Sequence, residues 1–171
     1  MTHQIQKYNS ATLDDYKFLL NLVNEFESDN QVAYQNIKNI NQKKIKSDNR
    51  KYVKKYLQEK TCNYIMCRQE TEILAYIFLS IDETYCGEGY INELYVLPKQ
   101  RQKGFGTKLT EMGLKWLKEN DCKTICITVN RKNKNALKLY KKLGFEIYTD
   151  SYISMKLKIW YDNQRKAAGN I

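Results

Sequence analysis

The chain has 171 residues, of which 42% are hydrophobic and 28% are charged, and its formal net charge is +10. This length and composition predict one compact domain over residues 1–171 with a sizeable apolar core, and they exclude a disordered chain. No apolar run approaches the ~20 residues that cross a membrane, and the polar N-terminus does not resemble a signal peptide.

The first half of the chain predicts a strand, helical segments and then a series of strands. A short strand is expected over Ile5–Tyr8, and a helix near Thr12, where Thr12 and Asp15 form a capping-box pattern. Residues 31–60 are polar and have a weak helical period. Alternating apolar and polar residues then predict three strands, over residues 63–68, 73–81 and 90–97, and polar turns separate them.

Helices and strands alternate in the second half of the chain. An amphipathic helix is predicted over residues 104–119, a strand over 124–129 and a second helix over 133–143, which Gly144 ends. Two final strands are predicted over residues 145–149 and 152–157. The order β-α-(α)-β-β-β-α-β-α-β-β predicts an α/β fold, with a mixed sheet that has helices on both faces.

The charge is unevenly distributed along the chain. Residues 31–60 hold nine basic residues against two acids, residues 61–98 have a net charge of −5, and residues 123–142 hold seven basic residues and no acid. Basic segments occur in proteins that bind nucleic acid, but they are more often solvated helix faces. We therefore interpret residues 43–55 as a solvated helix face and expect no nucleic-acid partner.

The cysteines and the histidine restrict the chemistry. Five Cys occur at spacings that match no zinc signature, and His3 is the only histidine in the sequence. These counts predict reduced thiols in a cytoplasmic protein and no metal site, and they exclude a histidine-based catalytic triad.

Residues 96–107 form the most informative segment. It runs from the end of a strand to the start of a helix, and Arg101, Gly104 and Gly106 give the pattern R-x-x-G-x-G. Glycine lets a ligand approach the backbone, and a helix N-terminus presents free N–H groups to phosphate. The segment fits neither the dinucleotide-binding pattern nor the P-loop. It therefore predicts a phosphate-bearing ligand of another kind.

A second motif narrows the prediction. Residues from Asn133 to Phe145 read N-x-x-A-x-x-L-Y-x-x-x-G-F. The two motifs together, in this order and spacing, closely resemble the GNAT superfamily of N-acetyltransferases. The resemblance spans residues 90–146. It implies a single GNAT-like domain with a mixed, mostly antiparallel central sheet and a splayed central strand, which transfers acetyl from acetyl-CoA directly to a primary amine.

The resemblance also implies which residues bind the donor. In that family the loop matching residues 101–107 wraps the pyrophosphate of CoA. The strand matching residues 94–96 carries a β-bulge, and its backbone pairs with the pantetheine arm. Asn133 would contact the arm from the other side, and the side chains of Arg101 and Lys103 would add positive charge. The implied cofactor-binding residues are Leu94, Tyr95, Val96, Arg101, Gln102, Lys103, Gly104, Gly106, Thr107 and Asn133.

Two residues are the candidate catalytic groups. Tyr140 matches the usual general acid of the family, since a phenol with a pKa of ~10 keeps its proton at neutral pH; the alternative is an aromatic that only fills the core. Glu93 is the candidate general base, and Glu88 and Tyr76 are weaker candidates for the same role. A carboxyl with an ordinary pKa of ~4.3 is a poor base, so Glu93 would need a raised pKa or a water relay. Its alternative role is to anchor a substrate cation.

The acceptor is less clearly indicated. In the family that the chain resembles, the first helix and the hairpin strands line the acceptor side. Residues 1–30 and 61–98, which hold these elements, are acidic, which favours a small cationic amine such as a polyamine or an aminoglycoside. The basic residues 31–60 argue against that acceptor. The alternatives are a protein N-terminus or lysine, and a basic binding module without catalysis. The segment after Leu157, with Trp160 and Tyr161, is expected to pack either on its own domain or on a partner subunit of a homodimer.

Overall fold

A computed structural model describes residues 6–33, 42–84, 87–148 and 153–158. Two short 3-10 turns, Leu13–Asp15 and Pro98–Gln100, accompany the regular elements. The helices are α1 Tyr16–Ala33, α2 Gln42–Tyr56, α3 Phe105–Glu119 and α4 Lys134–Lys142; the strands are β1 Gln6–Ser10, β2 Cys62–Gln69, β3 Glu72–Asp82, β4 Glu88–Val96, β5 Thr124–Val129, β6 Glu146–Ile147 and β7 Ile153–Lys158.

The order of elements is the one that the sequence predicts, with shifted ends. β1 extends to Ser10 because it pairs antiparallel with β2 as far as Ile65. α2 lies within the polar residues 31–60, and β6 is shorter than predicted. His3, Cys86, Trp160 and Tyr161 fall outside the described residues. None of the described helices is long and apolar enough to cross a membrane.

The capping box at the start of the helical region forms as predicted. The Thr12 backbone N–H donates to Asp15 Oδ2 at 2.9 Å. The buried Asp15 carboxylate also pairs with Arg68 of β2. A capping residue therefore joins the helical region to the sheet, so one side chain satisfies both a local and a long-range interaction.

The strands form one mixed sheet in the order β1-β2-β3-β4-β5-β7-β6. The pair β4–β5 is parallel, and the other pairs are antiparallel. α3 and α4 pack on one face with Leu109, Leu117 and Tyr140, whereas α1 and α2 pack on the other with Leu19 and Val53. This arrangement confirms the predicted fold, a mostly antiparallel sheet with helices on both faces.

The central strands β4 and β5 separate halfway along their length. Their pairing ends at Ile91 and Ile127, although β4 continues to Val96 and β5 to Val129. The bulge lies at Asn92, because consecutive residues of β3, Phe78 and Leu79, pair with Glu93 and Ile91. The splay confirms the expectation, and the bulge lies two residues before Leu94. The register of β3, which sequence does not show, fixes it.

The bulge places two successive side chains on one face of the sheet. Asn92 Nδ2 donates to Ser80 Oγ at 2.8 Å, and the Tyr76 hydroxyl donates to Glu93 Oε2 at 2.7 Å. Ser80 and Tyr76 are four residues apart on β3, so they share a face. Asn92 and Glu93 therefore both point toward the side of α1 and α2, as a bulge permits and a regular strand does not.

Close packing of α3 on β4 depends on Gly89. A Cβ added there would lie 2.7 Å from Leu117 Cδ2 and 3.0 Å from Cys122 Sγ, and both of these residues are fully buried. We expect Gly89→Ala to lower the free energy of unfolding by about 1–3 kcal/mol, because the core must shift to admit the methyl group. Urea unfolding measures this change.

A helical glycine provides the matched control for Gly89→Ala. A Cβ at Gly106 would make only ordinary contacts, at 3.6 Å and 3.7 Å. Gly106→Ala should therefore leave stability unchanged or raise it by up to ~1 kcal/mol. Equal free energies of unfolding for the two variants would contradict the packing argument.

Candidate active site

A cavity of about 630 Å³, here called the loop cavity, lies beside the splayed end of β4. The N-termini of α3 and α4 and the C-terminal part of α1 also contribute to its wall. Of the ten predicted cofactor-binding residues, Lys103 alone does not line it; its ammonium group donates to Gln100 Oε1 at 2.9 Å. The other nine line the cavity: Leu94, Tyr95, Val96, Arg101, Gln102, Gly104, Gly106, Thr107 and Asn133.

The first turn of α3 presents its backbone to the loop cavity. Gly104 is the N-cap residue, has φ +88° and supplies no capping side chain. The N–H groups of the first helical residues have no acceptor within the helix, and the helix dipole makes this end positive. Because no atom of the described residues would lie within 4 Å of a Cβ at Gly104, a ligand can approach the backbone closely there. The turn is thus suited to an anionic group.

Arg101 links this loop to α1. Its Nη2 donates to Asp29 Oδ2 at 2.6 Å, and its Nε donates to the Val96 carbonyl at 3.0 Å. The guanidinium carbon lies 5.7 Å from the centroid of the Tyr95 ring. These contacts bring Phe26 and Asp29 of α1 into the cavity wall, which no local sequence pattern indicates.

The α4 side of the loop cavity is basic. Lys132 and Lys138 line it, and both come from the acid-free segment 123–142. Asn133 also caps α4, because its Oδ1 accepts a hydrogen bond from the Ala136 N–H at 3.1 Å. The excess of basic residues in this segment was the sequence signal for the two lysines.

Glu93 lies on β4 at the point where the strands part. It is half-buried, and it faces the aromatic side chains of Tyr76 and Tyr52 rather than a cation. Burial raises the pKa of Glu93 to about 7; the hydrogen bond from Tyr76 opposes this rise, and the charge of Glu27 adds to it. A carboxyl with this pKa can accept a proton at neutral pH, which an ordinary glutamate does poorly.

Tyr140 lies in the core beneath α4. It is 2% exposed, and its ring packs edge-on against Phe145 at a centroid distance of 5.5 Å. Among the described residues that line the loop cavity, its neighbour Leu139 is present and Tyr140 is not. Burial raises the pKa of the Tyr140 phenol, so it keeps its proton at neutral pH. Its role as a general acid stays a prediction.

The cysteines of the described residues do not supply an activated nucleophile. Cys67 and Cys122 are buried, and Cys62 and Cys126 are half-buried. Burial raises the pKa of all four thiols, which disfavours the reactive thiolate. Within the same residues, no group of three His, Cys, Asp or Glu side chains is placed to hold a metal ion.

A second cavity, here called the strand cavity, has a volume of about 380 Å³ and lies over β4, β5 and β7. On β4, Asn92 lines the strand cavity and Leu94 lines the loop cavity. Thr128 of β5 lines the strand cavity, and Asn130, which directly follows β5, lines the loop cavity. The two cavities therefore approach each other where the strands part, with Glu93 between them.

Comparison with known proteins gives a consistent result. The model of the Acetyltransferase (GNAT) family matches residues 22–145. N-alpha-acetyltransferase 30 of Xenopus laevis is 37% identical over 79 residues, which are 42% of this chain and 29% of that protein. Thialysine N-epsilon-acetyltransferase of Mus musculus is 29% identical over 94 residues, 54% of this chain and 55% of that protein. The chain thus spans less than two thirds of either relative.

A solved structure shows the same fold. It is the crystal structure of PaiA N-acetyltransferase from Thermoplasma acidophilum in complex with coenzyme A. The TM-score is 0.72 at 20% identity, and the alignment covers 91% of this chain and 99% of that one. The similarity thus extends well beyond the two motifs.

Proposed function

The chain belongs to the GNAT family of acetyltransferases, and on that premise we propose that it transfers acetyl from acetyl-CoA directly to a primary amine of a small cationic acceptor. One observation carries the proposal. The loop cavity leads from an uncapped helix N-terminus to the splayed strand that holds Glu93, a carboxyl with a pKa of about 7. This arrangement supports a phosphate-bearing donor and a proton acceptor that meet along the same strand.

The residues of the loop cavity fit the donor. The first-turn N–H groups of α3 and the side chains of Arg101, Lys132 and Lys138 would hold its phosphates. Beyond Ile91 the edge of β4 that faces β5 is unpaired, so its backbone groups can bond the amide-containing arm. The donor supplies an acetyl thioester, whose carbonyl carbon is the electrophile.

The reaction requires two proton transfers. An alkyl ammonium has a pKa of ~10.4, so Glu93 would remove a proton, directly or through water, before the amine nitrogen attacks. The C–N bond forms, the C–S bond breaks, and the leaving sulfur takes a proton from Tyr140, which regains one when the new amide nitrogen gives up its second proton. No covalent enzyme intermediate is needed, which agrees with the raised pKa values of the thiols.

Charge supports a cationic acceptor. Glu93 is on the α1 and α2 face, and Glu25 and Glu27 of α1 contribute further carboxylates near Tyr95 and Glu93. The basic side chains of α2, which argued the other way, are exposed, whereas Val53 and Tyr52 of the same helix pack on the sheet. This orientation removes most of the positive charge from the face that carries Glu93.

A protein N-terminus is the second candidate acceptor. The observation that favours it is the 37% identity with an N-alpha-acetyltransferase over 79 residues.

The test is a screen that follows release of the free CoA thiol with polyamines, aminoglycosides and N-terminal peptides as acceptors. We expect turnover with polyamines or aminoglycosides. Turnover with peptides alone would make a protein N-terminus the acceptor in place of a small cationic amine. Binding of acetyl-CoA without turnover of any acceptor would favour a binding module.

Donor binding can be tested at Gly104. We expect Gly104→Ala to raise the KM for acetyl-CoA about tenfold, because the added methyl group would take up open space in which the pyrophosphate is proposed to bind, at a cost of roughly one hydrogen bond. Initial rates at varied acetyl-CoA measure this effect.

Gly87→Ala is the matched control for backbone strain. Gly87 has the same φ, +88°, but it lies in the turn before β4 and away from the loop cavity. Both variants should lose similar stability. An unchanged KM for Gly104→Ala, or an equal rise in both variants, would argue against phosphate binding at this turn.

A further inference from the structure

The strand cavity lies on a part of the sheet that the described helices leave uncovered. α1 and α2 cover β2, β3 and the C-terminal part of β4, through residues such as Tyr64, Tyr76 and Tyr95. Over β5 and β7, the same face carries Cys126, Thr128 and Lys156, which line the strand cavity. An accessible cavity therefore adjoins Asn92 and the point where β4 and β5 part.

One ammonium group already occupies part of this cavity. Lys156 Nζ lies 3.6 Å from Glu88 Oε1 and 4.1 Å from the centroid of the Tyr148 ring. The Tyr90 hydroxyl donates to the other oxygen, Glu88 Oε2, at 2.7 Å and so fixes the carboxylate. A carboxylate and an aromatic face are the groups that recognise an ammonium ion. Lys156 thus shows that the part of the strand cavity beside Glu88 and Tyr148 accepts an ammonium group.

The strand cavity is larger than one ammonium group requires. Its volume of about 380 Å³ is lined in addition by polar groups of Asn92 and Thr128. These side chains lead from Glu88 toward Glu93, so an extended cationic chain would follow β4 between two carboxylates.

We propose that the strand cavity binds a second, non-reacting ammonium group of a diamine or polyamine acceptor, with Glu88 and Tyr148 as its recognition groups. The inference rests on the proposed transfer to a primary amine, and it specifies the acceptor by the distance between its two nitrogens. The second ammonium keeps its proton and takes no part in the chemistry. The first nitrogen loses a proton at Glu93 and forms the amide.

The register of the sheet sets the spacing of the two nitrogens. Glu93 pairs with Phe78 and Glu88 pairs with Asp82, four residues apart on β3. At ~3.4 Å per residue, the two glutamates are about 13 Å apart along the strand. Both side chains reach toward the ligand, so the acceptor nitrogens are expected to be on the order of 10 Å apart. A monoamine cannot make both contacts.

The experiment compares a diamine with a monoamine of matched length. Acetyl transfer to 1,8-diaminooctane and to octylamine is measured as kcat/KM with acetyl-CoA in excess. We expect the wild-type protein to favour the diamine at least tenfold after correction for its two equivalent nitrogens. Shorter diamines should lose this advantage, because their second ammonium does not reach Glu88.

Two variants should change this preference in opposite directions. Glu88→Gln removes the recognising charge, so the diamine should fall to the level of the monoamine. Lys156→Met removes the competing ammonium, so the KM for the diamine should fall several-fold while octylamine is unaffected. A purely structural ion pair would impair both variants alike. Glu72→Gln and Lys115→Met, which make the same charge changes away from the cavity, are the controls.

The outcomes separate this inference from the proposed function. Equal kcat/KM for the two amines, insensitive to Glu88→Gln and Lys156→Met, would overturn the second-ammonium site and leave amine acetylation standing. If acetyl-CoA raises the melting temperature but no amine is acetylated, both proposals fail. Preference for the diamine with opposite effects of the two variants would establish the site.

Discussion

Replacing Glu93 with glutamine is expected to lower kcat by about 10²–10⁴-fold, the usual contribution of a general base. The substitution keeps the shape of the side chain and a hydrogen-bond acceptor for Tyr76, so the KM for acetyl-CoA should not change. Steady-state kinetics over a range of pH measure both effects. Unchanged kcat would exclude Glu93 as the base.

The pH profile gives an independent test of the same assignment. A base must be unprotonated, so kcat/KM of the wild-type protein should rise with pH through about 7, the pKa to which burial raises Glu93. In Glu93→Gln this limb should disappear from the residual rate. A limb that persists near pH 7 in the variant would belong to another group.

Stability should show the opposite dependence on pH. The folded protein holds a proton on Glu93 to about pH 7, whereas an unfolded chain releases it near pH 4.5, so the wild-type protein loses stability as the pH rises between these values. Glu93→Gln has no such loss. Its free energy of unfolding should match that of the wild type near pH 4 and exceed it by up to about 3 kcal/mol at pH 8.

Replacing Tyr140 with phenylalanine is expected to lower kcat by about 10²-fold or more, because the leaving sulfur loses its proton donor. The KM for acetyl-CoA should stay the same, since the substitution removes only the hydroxyl and leaves the ring in place. The buried ring and its packing against Phe145 are retained, so stability should change little. Burst and steady-state measurements with the preferred amine test the effect.

Tyr64→Phe is the matched control for Tyr140→Phe. Tyr64 is 1% exposed, and its hydroxyl has no hydrogen-bond partner among the described residues. Removing that hydroxyl should leave activity unchanged and hold or raise stability, because a buried polar group without a partner is costly. If Tyr140→Phe behaves as Tyr64→Phe does, Tyr140 serves only to fill the core.

The sequence by itself determined the order of elements and the nature of the donor site. Apolar periodicity placed α3 and β5 closely, because neighbouring residues largely decide whether a short amphipathic segment becomes helix or strand. The R-x-x-G-x-G pattern located the helix N-terminus that lines the loop cavity, because glycine at Gly104 answers a local need for positive φ. Such features depend on residues close together in the chain.

Only the tertiary structure decided how the site is assembled. The bulge at Asn92 depends on the register of β4 against β3, and it turns Glu93 toward the α1 and α2 face, where burial raises its pKa. The Arg101–Asp29 contact joins residues 72 positions apart, and Lys156 reaches Glu88 from another strand. Burial, register and long-range approach come from packing the whole sheet, so no local pattern in the sequence contains them.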